Sequence, residues 1–207
     1  MNRTANELLY RHSYVDELLA MIRRYIRNAS DHAATEQFLE QLADYHENDI
    51  ADALQQLSAD ERRLLYPVLG VQRLAEIIPY MDHAGTFLGE LDLQTTADVL
   101  SEMDSDDAVD VLETVNPALR SRLAGLLDTD ARDDLRMLLS YADDEIGSKM
   151  TTNYIVIERQ LTIRQAMHEL IRQAGENDNL LTVYVVDEQG CFYGAIDLTD
   201  LIVAREN

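Results

Sequence analysis

The chain has 207 residues, 46% of them apolar, which is enough for one or two domains with real cores. Its 39 acidic residues against 17 basic ones give a formal charge of -22, which repels phosphate backbones and anionic headgroups, argues against direct nucleic-acid binding, and attracts cations. The single cysteine, Cys191, excludes an internal disulfide, and no charge-free apolar run approaches the roughly 18–20 residues of a membrane helix. Glu7, Arg11, Asp16 and Glu17 interrupt any signal-peptide core, so the chain as given is expected to be soluble and not exported.

The charge is uneven. Residues 1–30 carry five arginines against Glu7, Asp16 and Glu17, a surplus of +2, and the remaining 12 basic and 36 acidic residues put -24 on residues 31–207. Lys149 is the one lysine. Such a composition also fits plain solubility or a salt-adapted proteome.

Residues 4–28 place Leu8, Val15, Leu19, Ile22 and Ile26 on one face, with His12 completing the spacing, and predict a long amphipathic helix. That face either packs on the units that follow or pairs with a second copy. Asn28 to Ala33 reads as a cap and turn before a helix ending near Ala43.

From Tyr45 the chain repeats itself. Large apolar anchors stand at Tyr45, Leu57, Leu69, Met81, Leu91, Met103, Val115, Leu127 and Leu139, in steps of 12 except for one of 10 between Met81 and Leu91. The residue after each anchor is His46, Ser58, Gly70, Asp82, Asp92, Asp104, Asn116, Asp128 or Ser140, nearly all of them types that accept from the orphan N–H groups of a helix start. Apolar pairs (Ala53/Leu54, Leu65/Tyr66, Ile77/Ile78, Phe87/Leu88, Val99/Leu100, Val111/Leu112) precede the next anchor by three and four residues and complete one stripe of a short helix. Two turns of helix are marginal alone, so the units must stack, each leaning on the units before and after it. The expected fold is mainly α, a superhelical array of about eight short helices.

The most charged unit runs Met103-Asp104-Ser105-Asp106-Asp107-Ala108-Val109-Asp110. Asp104 is the cap. Asp106 and Asp110 lie four apart, hence on one face, where two carboxylates about 5 Å apart repel by about 3 kcal/mol at an effective dielectric near 20, before screening. The pair either points into water or faces a cation. An EF-hand is excluded, because its loop glycine and terminal Glu are absent from their places.

After Ser140 the rhythm stops in a polar connector, and the rest predicts β-α-β-β-α: strand Tyr154–Ile157, helix Thr162–Gln173, strand Thr182–Val186, a tight turn at 187–190, strand Phe192–Ile196 and helix Leu198–Arg205. This makes a small open sheet with helices on one face and the other face in want of a partner.

Two passages carry a family resemblance. Tyr141 to Thr152 with its terminal Met150-Thr151, Val183-Tyr184-Val185-Val186-Asp187-Glu188-Gln189-Gly190, and Gly194-Ala195-Ile196-Asp197-Leu198-Thr199-Asp200-Leu201 resemble the first of the paired CBS repeats. His46-Glu47-Asn48-Asp49-Ile50-Ala51 and the twelve-residue helices resemble the N domain of MgtE-type magnesium transporters. The resemblance implies an N-terminal helical extension over 1–43, an N-domain superhelix over 44–141 and a half-CBS α/β module over 142–207. It implies the cytosolic, Mg²⁺-sensing part of a homodimeric polytopic transporter, on the cytoplasmic side of the cell membrane, with a second CBS repeat and a membrane domain in the parent chain. The family's acidic N-domain residues fall on Glu76, Asp106 and Asp110, and the implied cofactor is weakly bound, regulatory Mg²⁺; a dissociation constant near 1 mM is only about 4 kcal/mol.

In the adenylate-binding pattern of CBS repeats, Gly-x-x-Ser/Thr-x-x-Asp, Asp197 stands at the Ser/Thr position while Asp200 keeps the last, and an added carboxylate beside phosphates disfavours nucleotide. Catalysis is not expected: HExxH, a Gly-rich phosphate loop and G-x-S-x-G are all missing, and the five His (12, 32, 46, 83, 168) lack ligand spacing. The alternative function is a nucleotide-responsive CBS module on a protein-binding helical scaffold.

Overall fold

Caps, more than propensity, divide the helical half into its units. The structure, a computed structural model, describes residues 3–28, 32–142, 144–175 and 180–205, with side chains from Tyr14 onward except those of residues 32 and 205. Helices α1 (Arg3–Asn28) and α2 (His32–Leu42) lead into α3 (Glu47–Gln55), α4 (Ala59–Ile77), α5 (Ala84–Leu88), α6 (Leu93–Glu102), α7 (Ser105–Glu113), α8 (Pro117–Leu123) and α9 (Thr129–Leu138).

Ser58 opens α4 with a reciprocal capping box: the Glu61 N–H donates to Ser58 Oγ, and the Ser58 N–H donates to Glu61 Oε2 at 2.8 Å. The Asp92 carboxylate accepts the N–H groups of Gln94 and Thr95, Asn116 that of Leu119, and Asp128 that of Ala131 at 2.8 Å. His46 and Asp104 stand at caps without a side-chain cap bond.

The periodic reading departs from the structure at two points. Gly70 is not one of them: at φ 75° and ψ 171° it breaks the helix, so Ala59–Ile77 holds two units, as the period requires. The cap of α5 is His83, not Asp82, whose N–H instead donates to Gln55 Oε1; α5 has five residues, which absorbs the step of 10. Ser140 opens no helix; its hydroxyl donates back to the Met137 carbonyl.

All twelve residues of the apolar pairs are buried, and one contiguous core runs from Val15 to Leu135. Each fully buried Leu or Ile in it contributes about 1.5–3 kcal/mol relative to exposure. α1 shares this core through Val15, Leu18, Leu19 and Ile22 and packs on α2, α3 and α4, so its described apolar face serves the array; Leu8 and His12 lie outside the described side chains. The units do not lean on immediate neighbours alone: α4 packs on α6, α7 on α9 and α1 on α3.

A second tie recurs between units. Four residues after its cap, an arginine donates to carbonyls at the end of the preceding helix. Arg62 reaches Leu54 and Leu57, Arg120 reaches Glu113 and Val115, and Arg132 reaches Ala124, Gly125 and Leu127; Thr96, at the same place after Asp92, gives its one hydroxyl hydrogen to the Asp92 carbonyl at 2.8 Å. A guanidinium suits the task because its fork of donors can serve two or three carbonyls at once. Arg62 goes further. It is buried, its Nε donates to Glu90 Oε2 at 2.9 Å, the Tyr66 hydroxyl donates to the same oxygen at 2.7 Å, and its guanidinium lies 4.8 Å from the Phe87 ring centre. Burial pushes the Glu90 carboxyl up, but donation from Arg62 and Tyr66 outweighs it and holds the group below the usual glutamate range. Burial and the Glu90 carboxylate raise the Tyr66 hydroxyl well above an ordinary phenol.

The chain divides into two compact units between Ser148 and Lys149. The second has strands β1 (Ile155–Glu158), β2 (Thr182–Val186) and β3 (Phe192–Asp197) and helices α10 (Ile163–Gln173) and α11 (Leu198–Arg205), the expected β-α-β-β-α. β1 pairs parallel to β2 with Ile155 opposite Val183; β3 pairs antiparallel with Val183 opposite Ile196. Thr162 caps α10 in a second capping box with Gln165. Ile155, Ile157 and Val183 face Ala166, Met167, Leu170 and Leu201 in a small core. β1 is an edge strand, and the Gln173 amide covers it by donating to the Val156 carbonyl at 2.8 Å and accepting the Val156 N–H at 3.0 Å.

Candidate metal-binding face

α7 is amphipathic in the simplest way. Ser105, Ala108, Val111 and Leu112 point into the array, and the opposite side is left to water. Asp106 and Asp110 are both exposed there, and the helix turn adds Glu113, also exposed, seven residues after Asp106 and on the same ridge. The spacing of Asp106 and Asp110 suggested a pair; the third carboxylate was legible as i+7 of the same pattern. Asp107 is half-buried and off that ridge.

Glu76 is exposed near the end of α4. The 3-10 turn that follows it, Ile78–Tyr80, packs on α7, so the segment carrying Glu76 runs to the helix that carries Asp106 and Asp110. Among the described residues no group of three or more His, Cys, Asp or Glu closes into a metal cage. Two carboxylates on an exposed ridge suit a hard ion that keeps most of its waters; a zinc site would need three or four protein ligands, usually with His or Cys among them, and the ridge has neither. Asp106 and Asp110 are the residues that would hold such an ion.

At the other candidate site, the Asp197 carboxylate accepts the Thr199 N–H at 2.9 Å at the start of α11. The side chain is exposed, so its negative charge stands where the adenylate pattern has a neutral hydroxyl.

The array of twelve-residue units and the β-α-β-β-α unit each match a family model: residues 45–144 match the MgtE intracellular N domain and residues 144–207 the CBS domain. The chain is homologous to the cytosolic region of MgtE magnesium transporters. It is 29% identical over 195 residues to the magnesium transporter MgtE of Thermus thermophilus, covering 92% of this chain and 43% of that protein. It is 40% identical over 70 residues to the MgtE of Enterococcus faecalis, covering 34% of this chain and 16% of the relative. The chain thus spans about two fifths or less of the length of these relatives.

Among solved structures, the soluble part of a magnesium transporter superposes with a TM-score of 0.83 at 29% identity, over 91% of this chain and 74% of that one. The cytosolic domain of the Mg²⁺ channel MgtE in complex with ATP superposes at 0.76 and 27% identity, over 89% and 75%. No described helix of this chain is long and apolar enough to cross a membrane.

Proposed function

We propose that the chain is the ion-sensing, gate-controlling region of a magnesium transporter or channel. It lies on the cytoplasmic side of the cell membrane in a homodimeric parent, followed there by a second CBS repeat and a membrane domain. Residues 1–43 act as a helical extension, 44–141 as the sensing array and 142–207 as the first CBS repeat.

The observation that carries this reading is the α7 ridge, where Asp106 and Asp110 stand exposed on a folded helix with their backs to the core, in a chain homologous to MgtE. The ridge is supported from behind, so its charge pattern is held in place without a ligand. Mg²⁺ on Asp106 and Asp110, with Glu76 contributing, relieves the repulsion between the carboxylates and favours whichever arrangement brings a second acidic surface against them. Weak sites acting together give a steep response, because the shift depends on the difference in affinity between open and closed states.

The test is the full-length parent reconstituted in liposomes. Asp106→Asn with Asp110→Asn is expected to move the internal Mg²⁺ concentration that shuts transport upward by about tenfold, or about 1.4 kcal/mol. Shutdown at the wild-type concentration would remove the mechanism.

A nucleotide-responsive scaffold is the second reading, favoured by one observation: the neighbouring cytosolic domain carries ATP. Asp197 stands against it here. Calorimetric heat on adding ATP, without any Mg²⁺-dependent change of shape, would favour this second reading.

A further inference from the structure

The arginines that tie one unit to the next are not all answered alike. Arg62 holds neutral carbonyls and also meets a carboxylate, Glu90, with the Phe87 ring beside it. Arg120 and Arg132 stand at the same place in their own units and hold carbonyls in the same way, yet neither is in an ion pair with any described residue. The register of the array accounts for the difference. Glu90 directly precedes Leu91, the anchor three units beyond Leu57, with which the Arg62 unit opens. From Val115 and Leu127, the anchors that open the Arg120 and Arg132 units, the last anchor of the array, Leu139, is two units and one unit away. No unit of the array stands where it could return a counterpart of Glu90.

Both guanidiniums instead border one cavity of about 370 Å³ at the end of the array. Its apolar wall includes Leu112, Leu127, Leu135 and Leu139; the first three are buried and Leu139 is exposed, so the cavity runs from the surface into the core. Arg136 borders it too, paired with Asp133 at 2.9 Å, and no acidic residue is among those that line it. Arg120 holds its carbonyls through Nη2 alone and Arg132 through Nε and Nη2, which leaves donors on both, and the Arg120 Nε is buried without an acceptor. A charged donor buried unmatched is costly, and an anion seated against it removes the cost.

The geometry points to a binding site for an aliphatic carboxylate, a small monoanion whose chain lies on the leucines and whose head is taken by Arg120 and Arg132. The fork of an arginine fits a carboxylate through two parallel bonds, which is how Glu90 answers Arg62 in this same chain. The leucine wall adds a demand for an apolar chain that a bare anion does not meet, in a cavity of the size that small ligands occupy. The formal charge of -22 weighs against a polyanion, whose every added charge the acidic body repels. This site stands on residues other than the α7 ridge and does not depend on the ion-sensing reading.

The experiment titrates the ¹⁵N,¹³C-labelled chain with octanoate and follows the arginine Nε–Hε signals and the leucine methyls by NMR. Octanoate is expected to shift the Arg120 Nε–Hε signal and the Leu127 and Leu135 methyls together along one saturating curve. Acetate, which lacks the chain, and octanol, which lacks the charge, are each expected to bind at least about tenfold more weakly. Inorganic phosphate at matched ionic strength leaves the Arg120 signal in place. Arg120→Lys lowers the octanoate affinity severalfold, and so does Leu139→Trp, which fills the mouth of the cavity from an exposed position.

Octanol binding as tightly as octanoate would overturn the proposal, since the arginines would then contribute nothing to the choice of ligand. Phosphate or acetate shifting the Arg120 signal as strongly as octanoate would overturn it from the other side, leaving a general anion patch in which the leucines play no part. A Leu139→Trp chain that binds octanoate like the parent would place the ligand somewhere else. Should Arg120→Lys not fold, the comparison of octanoate with octanol on the parent chain, together with Leu139→Trp, decides alone.

Discussion

The helical array and the CBS unit solve the same problem of covering apolar surface to different degrees. In the array, each short helix presents one stripe, and neighbours from several positions along the chain cover it, so the core is continuous and many of its side chains are wholly inaccessible. The CBS unit is a sheet with two faces and one set of helices. Its second face is left with Tyr154, Tyr184 and Phe192, which touch one another by their rings, at 5.6 Å and 6.2 Å between centres, and remain exposed. The lesson is geometric: a helix has one stripe to hide, whereas three strands with helices on one side leave half of their surface for something else to cover.

The comparison breaks most sharply at buried charge. Arg62→Ala is expected to cost about 3–5 kcal/mol in a urea titration, because it strands the Glu90 carboxylate and frees the carbonyls ending α3. Arg172→Ala, in the exposed Arg172–Glu169 pair of the CBS unit, should cost under about 1 kcal/mol. Equal losses at the two sites would mean that burial of the Arg62 pair contributes nothing.

Acidity sharpens the same contrast. The Glu90 carboxyl is held below the ordinary range, so its contribution to stability is complete above the unfolded-state value of about 4.3 and fades as pH falls through the lower folded value. Glu90→Gln should therefore be less stable than the parent at neutral pH, and the gap between their thermal midpoints should close on acidification below about pH 4. A gap that widened on acidification would contradict the assignment.

Caps give the smallest effect and the one on which the two regions should agree. Asp128→Ala in the array and Thr162→Ala in the CBS unit should each cost about 1 kcal/mol, since each removes one acceptor from a helix start in the same way.

Much of this was legible in the residues. The anchor-and-cap period located the units, because an acceptor followed by an apolar stripe can hardly be satisfied by anything but a helix start. β2 and α11 fell on their residues for a similar reason, bounded as they are by turn-formers and by Asp197. The torsions were not legible. Gly70 looks like one more cap in a list of caps, with nothing local to announce its inverted φ, and nothing local favours left-handed His83 over Asp82 as the cap of α5. Arg62 and Glu90 are 28 residues apart, and no local pattern joins them. Asp106 and Asp110 were found by spacing and stand exposed as a pair, whereas the nearness of the Glu76 segment to α7 came only from the packed turn between.

The guanidinium ties between units bear on behaviour in brine. Arg62, Arg120 and Arg132 hold neutral carbonyl oxygens at helix ends, so these particular contacts are between a charge and a dipole at hydrogen-bond distance and have no distant counter-charge for dissolved ions to mask. An acidic coat loses its mutual repulsion as ionic strength rises, while the clasps beneath it keep their grip. The array is thereby free to let its outer charge respond to the ionic medium without surrendering the frame that holds it.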